Sequence, residues 1–397
     1  MRILFTVPYV PNLVRTRPYN LIRHLSARGH EITLLTVWSN EQERADLEPL
    51  QKICHKIEAV HVPTWRSLMN CLTVLPSKRP FQSVFSWHEN LVSSYNGTSP
   101  FDVAHVEHLR GSKYGLYLKE HTKLPVIWDS VDCISHLFEQ AAEKSESTMG
   151  RMRSKLELGR TQFYEGWLLD KFEHVLVTSS QDKAGLIALK RPQTEASPIS
   201  VLHNGVDFSH FEVDESLPRE EETVVISGKM SYHANVSMVK FLMDDIMPLV
   251  WQKRPQVKVW IVGKDPTPDI QAWDEHPCVT VTGTVPEIRP YLQKATCAVT
   301  PITYGAGIQN KVLEAMACGT PVVTTSKAVS AIDVTSGKEL LIADTAQAFA
   351  DEICSIISDK NQQKIIGQAG RDYVEANHHW NSIAANLEKI YQTAIEK

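Results

Sequence analysis

The chain has 397 residues, which predicts about two domains of roughly 200 residues each. No apolar run approaches the roughly 20 residues that cross a bilayer, and the start, MRILFTVPYV, shows no signal-peptide cleavage pattern, so we expect a cytoplasmic protein. Seven widely spaced cysteines without a C-x-x-C pair disfavour a disulfide framework and a structural zinc, and the lack of a dense Lys/Arg block disfavours nucleic-acid binding.

The first half of the chain begins with a strand-helix-strand pattern. RILFTV and HEITLLTV are apolar strands, and RPYNLIRHLSARG between them has an apolar stripe at helical spacing that Gly29 ends. Further strands are predicted at DVAHV, PVIWD and HVLVTSS, and residues 139–172 form a long, charged, helix-prone interval. Alternating strands and helices of this kind predict a mostly parallel, doubly wound sheet.

A second series of elements follows the turn signal at Asn204-Gly205. Its predicted strands are TVVISG, VKVWIVG, VTVTGTV, CAVTPI, PVVTT and ELLIA, and its predicted helices lie near 235–253, 287–294, 309–318 and 345–358. We therefore predict an α/β protein of two tandem Rossmann-like domains, 1–203 and 204–377, that face a cleft. Ligands of such sheets bind beyond the carboxyl ends of the strands, so the loops after strands are the places to seek chemistry.

The stretch GAGIQNKVLEAMACGTPVV, residues 305–323, occupies one such loop. A helix that starts near Gln309 would present unpaired N–H groups to an anion, and Lys311 and Glu314 lie three apart on one helical face. Spacing alone equally fits a tight turn followed by a surface Lys-Glu pair. A dinucleotide fingerprint is disfavoured because the third glycine is missing and the stretch comes late in the chain.

Gly228 and Lys229 end the first strand of the second domain, just before a predicted helix. Lys229 would bring a compact cation to the same edge of the sheet. Taken alone, Lys229 is more simply interpreted as an ordinary solvated lysine.

Five motifs together carry a family resemblance: RGHEITLLT, HNGVD, SGKM, GAGIQNKVLEAMACGTPVV and HHWNSIAANLEKIY. In order and spacing they resemble retaining glycosyltransferases of the GT-B fold, family 4 (group 1). YHANV and GIQNKVLEAMA are most similar to sugar transferases of bacterial exopolysaccharide assembly. The resemblance covers nearly the whole chain and implies that the C-terminal helix, 378–397, packs back on the first domain.

The resemblance implies roles for the loops of the second domain. Glu314 matches the second glutamate of the E-x7-E motif, which holds the ribose hydroxyls of the nucleotide, and Lys229 matches a residue that binds the donor diphosphate. Gly307 matches the glycine after the first glutamate of that motif, and the other expected donor-binding residues are Gly228, Ile308, Gln309 and Asn310.

Three departures from the family pattern affect the donor site. The first glutamate of E-x7-E falls on Ala306, so the contact that reads the donor sugar is missing. The second lysine of the phosphate pattern falls on Ala234, and Lys311 is expected to supply its charge. VPNLVRTRPYN replaces the glycine-rich first loop of the family, which places Arg15 and Arg17 on the acceptor side of the cleft.

Two strand ends of the first domain also imply acceptor contacts in the family. FDVAHVEHLRGSKY places His108 after one strand, and PVIWDSVDCISHLF places Asp129 at the end of another. A structural histidine and a helix-capping aspartate are the open alternatives.

The sequence thus predicts a metal-independent, retaining glycosyltransferase without a cofactor, with a nucleotide diphosphate sugar as co-substrate and a sugar, lipid-linked or other hydroxyl acceptor. Lys229, Lys311 and Glu314 are its expected catalytic residues. A nucleotide-sugar epimerase and a non-catalytic nucleotide-sugar-binding protein remain as alternatives. Residues 1–200 carry 24 basic and 21 acidic residues, against 17 and 25 in the rest, so a peripheral contact with the inner membrane face is a further hypothesis.

Overall fold

The structure is a computed structural model that describes residues 1–97, 100–144, 148–192, 194–214, 216–303 and 309–396, with backbone alone for the described residues within 140–155. The chain divides into two compact units. Unit 1 comprises Met1–Asn204 and Trp380–Lys397, and unit 2 comprises Gly205–His379. Within the described ranges, no helix combines the length and the apolar character that crossing a membrane requires.

Unit 1 contains a parallel sheet of seven strands in the order β3-β2-β1-β4-β5-β6-β7. The strands are β1 Arg2–Val7, β2 Glu31–Trp38, β3 Lys56–His61, β4 Val103–Glu107, β5 Val126–Val131, β6 His174–Val177 and β7 Ile199–Val201. The helices before residue 205 are α1 Thr16–Ala27, α2 Glu41–Ala45, α3 Leu47–Leu50, α4 Thr64–Thr73, α5 Gln82–Phe85, α6 His108–His121, α7 Ile134–Lys144, α8 Thr148–Leu168 and α9 Ser180–Ala188.

Unit 2 contains a parallel sheet of six strands in the order β10-β9-β8-β11-β12-β13. The strands are β8 Thr223–Ser227, β9 Lys258–Val262, β10 Val279–Gly283, β11 Cys297–Thr300, β12 Val322–Thr324 and β13 Leu341–Ile342. The helices are α10 His233–Lys240, which continues through a π-helical segment, Phe241–Ile246, into α11 Met247–Lys253, and then α12 Pro268–Gln271, α13 Arg289–Lys294, α14 Asn310–Ala317, α15 Ala346–Ser358 and α16 Lys360–His378.

Helix α17, Trp380–Ile395, belongs to unit 1 although it follows unit 2 in the chain. Its buried residues Trp380, Leu387 and Tyr391 share a core cluster with Ile3 and Phe5 of β1. Leu4 between them points to the opposite core, because successive side chains of a strand alternate between the faces of a sheet. The sheet of unit 1 is therefore covered by apolar side chains on both faces.

The predicted fold class, doubly wound α/β in both halves, is confirmed, and each predicted strand is present. Two strands were not predicted, β3 and β7, which form the two edges of the unit 1 sheet. Asn204 falls in unit 1 and residues 378–379 fall in unit 2, whereas the prediction placed them the other way round.

Candidate active site

The strand order of unit 2 reverses between β8 and β11. From β8 the chain proceeds outward to β9 and β10, and it then returns to the other side of β8 as β11. A reversal of this kind leaves a crevice at the carboxyl ends of the two central strands, which is the usual ligand site of open parallel sheets. The loop that contains Gly228 and Lys229 follows β8, and the loop that leads to α14 follows β11.

The turn after β8 is packed directly against the end of β9. The Gly228 amide donates to the Val262 carbonyl at 3.0 Å, and the Met230 amide donates to the Lys264 carbonyl at 2.9 Å. Gly263 has φ +151°, and a β-carbon added there would lie 1.7 Å from the Gly228 carbonyl oxygen. The two strand ends can approach so closely only because residue 263 has no side chain.

Asn235 of α10 joins the turn after β8 to Lys311 of α14, and its role was not predicted from the sequence. This buried side chain donates from Nδ2 to the Lys229 carbonyl at 2.9 Å and accepts at Oδ1 from the Lys311 ammonium at 2.5 Å. The only sequence signal is its place beside Ala234, where the phosphate pattern loses its second lysine. The structure thus brings the Lys311 cation to the start of α10, where that lysine would have stood.

Lys311 and Glu314 project from α14, and both are partly buried. Burial lowers the pKa of Lys311 to about 8, an effect that the Glu314 charge opposes. Burial raises the pKa of Glu314 to about 7, and the Lys311 charge opposes that shift in turn. Desolvation is the larger cause for both groups, so each is easier to neutralise than it would be in water. An anionic ligand near Lys311 would favour its protonated form.

Lys229 differs from Lys311 in being largely open to solvent. Its side chain is 55% exposed, and its ammonium lies 3.9 Å from an Asp265 carboxylate oxygen. An exposed pair at that distance is worth at most about 1 kcal/mol, so a bound anion can readily replace Asp265 as its partner.

The predicted donor-binding positions before α14 are described only in part. Gln309 precedes α14 as its N-cap residue, and Asn310 is the first residue of the helix. The side-chain oxygen of Asn310 is buried and accepts no hydrogen bond from the described residues. Gly307 and Ile308 lie outside the described residues, as does Ala306.

In unit 1, Arg17 and Asp129 form a buried ion pair. The Asp129 side chain has no exposed surface, and two nitrogens of Arg17 lie 2.8 and 2.9 Å from one of its oxygens. The remaining guanidinium nitrogen donates to the Leu202 carbonyl at 2.9 Å and to Asn204 Oδ1 at 3.0 Å. His105, also buried, lies 3.6 Å from the same carboxylate.

This pairing gives Arg17 and Asp129 a structural role within unit 1. Both side chains are buried and bound to each other, and their assignment to an acceptor stays a prediction. The alternative of a helix cap is wrong for Asp129, which lies within β5 and whose other oxygen accepts from the Val131 amide at 3.1 Å. Instead Glu165 of α8 accepts from the Ile134 and Ser135 amides at the start of α7.

Arg15 and His108 lie at the starts of the helices that follow β1 and β4, the two strands at the strand-order reversal of unit 1. Arg15 stacks over the Tyr9 ring at 4.7 Å and pairs with Glu43 at 2.8 Å. His108 begins α6 with φ +65°, and burial lowers its pKa to about 3, which keeps the imidazole neutral. Between them, Tyr9 donates to Glu107 at 2.7 Å, and burial raises the pKa of Glu107 to about 8. The assignment of Arg15 and His108 to an acceptor stays a prediction.

Comparison with known proteins matches both halves of the chain to glycosyltransferase models. Residues 14–210 match the family described as Glycosyltransferase Family 4, and residues 221–359 match Glycosyl transferases group 1. A curated relative, the capsular polysaccharide biosynthesis glycosyltransferase CapM of Staphylococcus aureus, is 24% identical over 206 residues, which are 49% of this chain and 54% of the relative. The chain thus spans about half the length of that curated relative.

Two solved structures are similar to this chain over nearly their whole length. Sucrose-phosphate synthase from Thermosynechococcus elongatus has a TM-score of 0.68 at 18% identity, with 99% of both chains covered. Anabaena HepE in complex with UDP-glucose has a TM-score of 0.65 at 14% identity, with 99% of this chain and 100% of that chain covered. At these identities the likeness shows the fold. Together with the two family models, it establishes that the chain belongs to the family 4 (group 1) glycosyltransferases of the GT-B fold.

Proposed function

We propose that the protein is a retaining glycosyltransferase that transfers a sugar from a nucleotide diphosphate sugar to an acceptor hydroxyl without a metal ion. Its family membership supports the reaction class. The capsular polysaccharide role named for CapM supports a place in polysaccharide or glycoconjugate synthesis, and the complex of HepE with UDP-glucose supports the class of donor. The proposal puts the reaction in the cytoplasm, at the inner face of the membrane.

The observation that carries the proposal is the Asn235 bridge between Lys311 and the Gly228-Lys229 turn. When the glycosidic bond breaks, negative charge grows on the diphosphate that leaves. Cations fixed in place before the reaction stabilise that charge without reorganising. Lys311, held by Asn235 in a partly buried position, is such a cation. Lys229, which follows β8, would add a second.

Glu314 is the proposed ribose contact. A carboxylate accepts hydrogen bonds from two hydroxyl groups at once, which suits the two neighbouring hydroxyls of a ribose. Glu314 lies one helical turn from Lys311 on the same face of α14, so a nucleotide bound there would place its ribose beside one residue and its phosphates beside the other.

Donor binding can be tested by thermal shift with UDP, GDP, ADP and their sugars. A ligand at 100 times its dissociation constant adds about 2.7 kcal/mol to the free energy of unfolding. We expect one nucleotide to raise the melting temperature and expect Lys229→Ala, Lys311→Ala and Glu314→Ala each to abolish the rise. Lys240→Ala is the matched control, since Lys240 is also about half exposed and ion-paired, 3.3 Å from Asp269. Retained shifts in the three site variants would refute the donor site.

Turnover then separates the proposed reaction from its alternatives. A transferase releases nucleotide in proportion to the sugar that it moves to the acceptor. Release of nucleotide without any acceptor, together with a sugar of inverted configuration, would indicate an epimerase, and binding without turnover on any acceptor would indicate a non-catalytic binding protein.

The affinity for the donor should follow a bell-shaped pH profile with its maximum between about pH 7 and 8. Below pH 7 Glu314 becomes protonated and accepts fewer hydrogen bonds, and above pH 8 Lys311 loses the charge that attracts the diphosphate. The nucleotide sugar is the correct probe, because its diphosphate does not titrate in this range. Glu314→Gln should flatten the acid limb and Lys311→Arg the alkaline limb, since arginine stays charged. Isothermal titration from pH 6 to 9 measures both limbs of the profile. A wild-type affinity that does not change with pH would contradict the roles proposed for Glu314 and Lys311.

A further inference from the structure

Unit 1 carries a set of large apolar side chains that face solvent, which we call the α4 surface. It consists of Trp65, Leu68, Met69 and Leu72 of α4, together with Leu75 just beyond the helix. These side chains are 66, 58, 55, 55 and 50% exposed. The four helical positions follow the i, i+3, i+4, i+7 spacing of a single stripe, so they form one continuous apolar face.

The opposite face of α4 shows that this stripe does not serve the fold. Ser67 is buried there, the Asn70 amide donates to the Trp87 carbonyl at 2.9 Å, and the Cys71 thiol donates to the Phe81 carbonyl at 3.8 Å. A helix on the outside of a soluble domain normally turns its apolar face inward. This helix turns polar groups inward and leaves its apolar stripe outside, which is typical of a surface that contacts a partner.

Basic side chains lie near the C-terminal end of the α4 surface. Lys78 and Arg79 follow it in the chain and are exposed. Arg160 of α8 donates to the Leu75 carbonyl at 2.9 Å, which brings a third cation to its edge. The 30 residues from 59 to 88 contain no aspartate or glutamate. Positive charge therefore borders the C-terminal end of the stripe.

We propose that the α4 surface docks unit 1 on an anionic lipid bilayer. A short helix with an apolar stripe and cationic borders lies in the plane of a membrane interface, where its apolar side chains enter the acyl boundary and its cations meet lipid headgroups. Trp65 suits this depth because indole is enriched at the level of the headgroups. The inference rests on the proposed function in one respect, namely that the acceptor of the transfer is held at a membrane.

Vesicle sedimentation tests the docking. We expect the protein to bind vesicles of phosphatidylcholine with about 30% phosphatidylglycerol, and to bind pure phosphatidylcholine at least about tenfold more weakly. Raising the salt from about 0.05 to 0.5 M should release most of the bound protein, because screening weakens the attraction of exposed charges. Trp65→Ser combined with Leu72→Ser, and separately Lys78→Glu combined with Arg79→Glu, should each reduce binding at least about tenfold.

Matched controls show whether vesicle binding depends on the α4 surface in particular or on any exposed apolar or charged side chain. Ile365→Ser removes an apolar side chain that is 58% exposed on unit 2, and Lys123→Glu reverses an exposed charge elsewhere on unit 1. Neither control should change vesicle binding. Binding that is equal on both lipids, insensitive to salt or unchanged in the α4 variants would overturn the proposal, as would a wild-type dimer that Leu72→Ser dissociates, since a second copy would then cover the stripe.

The nucleotide thermal shift distinguishes failure of this inference from failure of the proposed function. The α4 variants should keep the full shift with the preferred nucleotide, because no α4 residue belongs to the donor site. Loss of vesicle binding with a retained shift supports a separate docking surface. A wild-type protein that responds to nucleotide but never binds anionic vesicles would refute the docking and leave the transferase intact.

Discussion

Gly263→Ala is expected to weaken donor binding at least about tenfold, although residue 263 would not itself touch the donor. The added β-carbon would lie 1.7 Å from the Gly228 carbonyl oxygen, and the φ of +151° is one that residues with side chains rarely adopt. The obstacle is backbone, so a rotamer change cannot relieve the clash. The turn with Gly228 and Lys229 must move. Asn235, which accepts a hydrogen bond from the Lys311 ammonium and donates one to the Lys229 carbonyl, must move with it.

Gly283→Ala is the matched control for this prediction. Gly283 ends the neighbouring strand β10 with φ +64°, and no described atom lies within 4 Å of a β-carbon placed there. The Gly283→Ala substitution should lower the free energy of unfolding only by the conformational strain of a left-handed residue, about 1–2 kcal/mol. Nucleotide titration of the two variants, at a temperature where both are folded, measures the difference. Equal affinities would show that the packing of the β8 and β9 ends does not shape the donor site.

The second large effect is expected at the buried ion pair of unit 1. Arg17→Met leaves the Asp129 carboxylate buried without its cation and leaves the Leu202 carbonyl without its donor. Removing one partner of a buried pair typically costs about 3–5 kcal/mol. We expect hydrogen exchange in urea, read peptide by peptide, to show loss of protection in α1, β5 and residues 202–204 and to leave unit 2 unchanged.

Arg15→Met is the control, two residues away. Arg15 is 36% exposed and pairs with Glu43 at 2.8 Å, an interaction worth at most about 1 kcal/mol. Combining Arg17→Met with Asp129→Leu should restore much of the stability that Arg17→Met alone loses, because the buried charge is removed with its partner. Equal destabilisation by Arg15→Met and Arg17→Met would contradict the structural role assigned to Arg17.

The sequence was sufficient for elements whose pattern is local. The central strands are short, largely apolar runs, and α17 has an apolar stripe at helical spacing, so both could be predicted from their own residues. Strands β3 and β7 could not, because edge strands are only half buried and KIEAVH alternates poorly. The exposed stripe of α4 could not be predicted for a related reason, since periodicity shows that a helix has an apolar face but not which way the face points.

The contacts of polar residues were the least predictable part of the site. Arg17 and Asp129 are 112 residues apart, and Lys311 and Asn235 are 76 apart, so each pairing depends on the assembled sheet. The resemblance to a family identified Lys229 and Glu314 by position, and the structure shows where each lies within unit 2. The resemblance did not predict that Arg17, two residues from the partly exposed Arg15, is buried in the core.

The return of α17 to unit 1 has a consequence for biosynthesis. Unit 2 is one continuous stretch, so it can fold as soon as residue 379 has left the ribosome. Unit 1 begins to emerge first, yet the face that contains Ile3 and Phe5 stays open until Trp380, Leu387 and Tyr391 arrive. The half of the protein that is made first is therefore completed second, and during the interval this apolar surface is exposed to solvent.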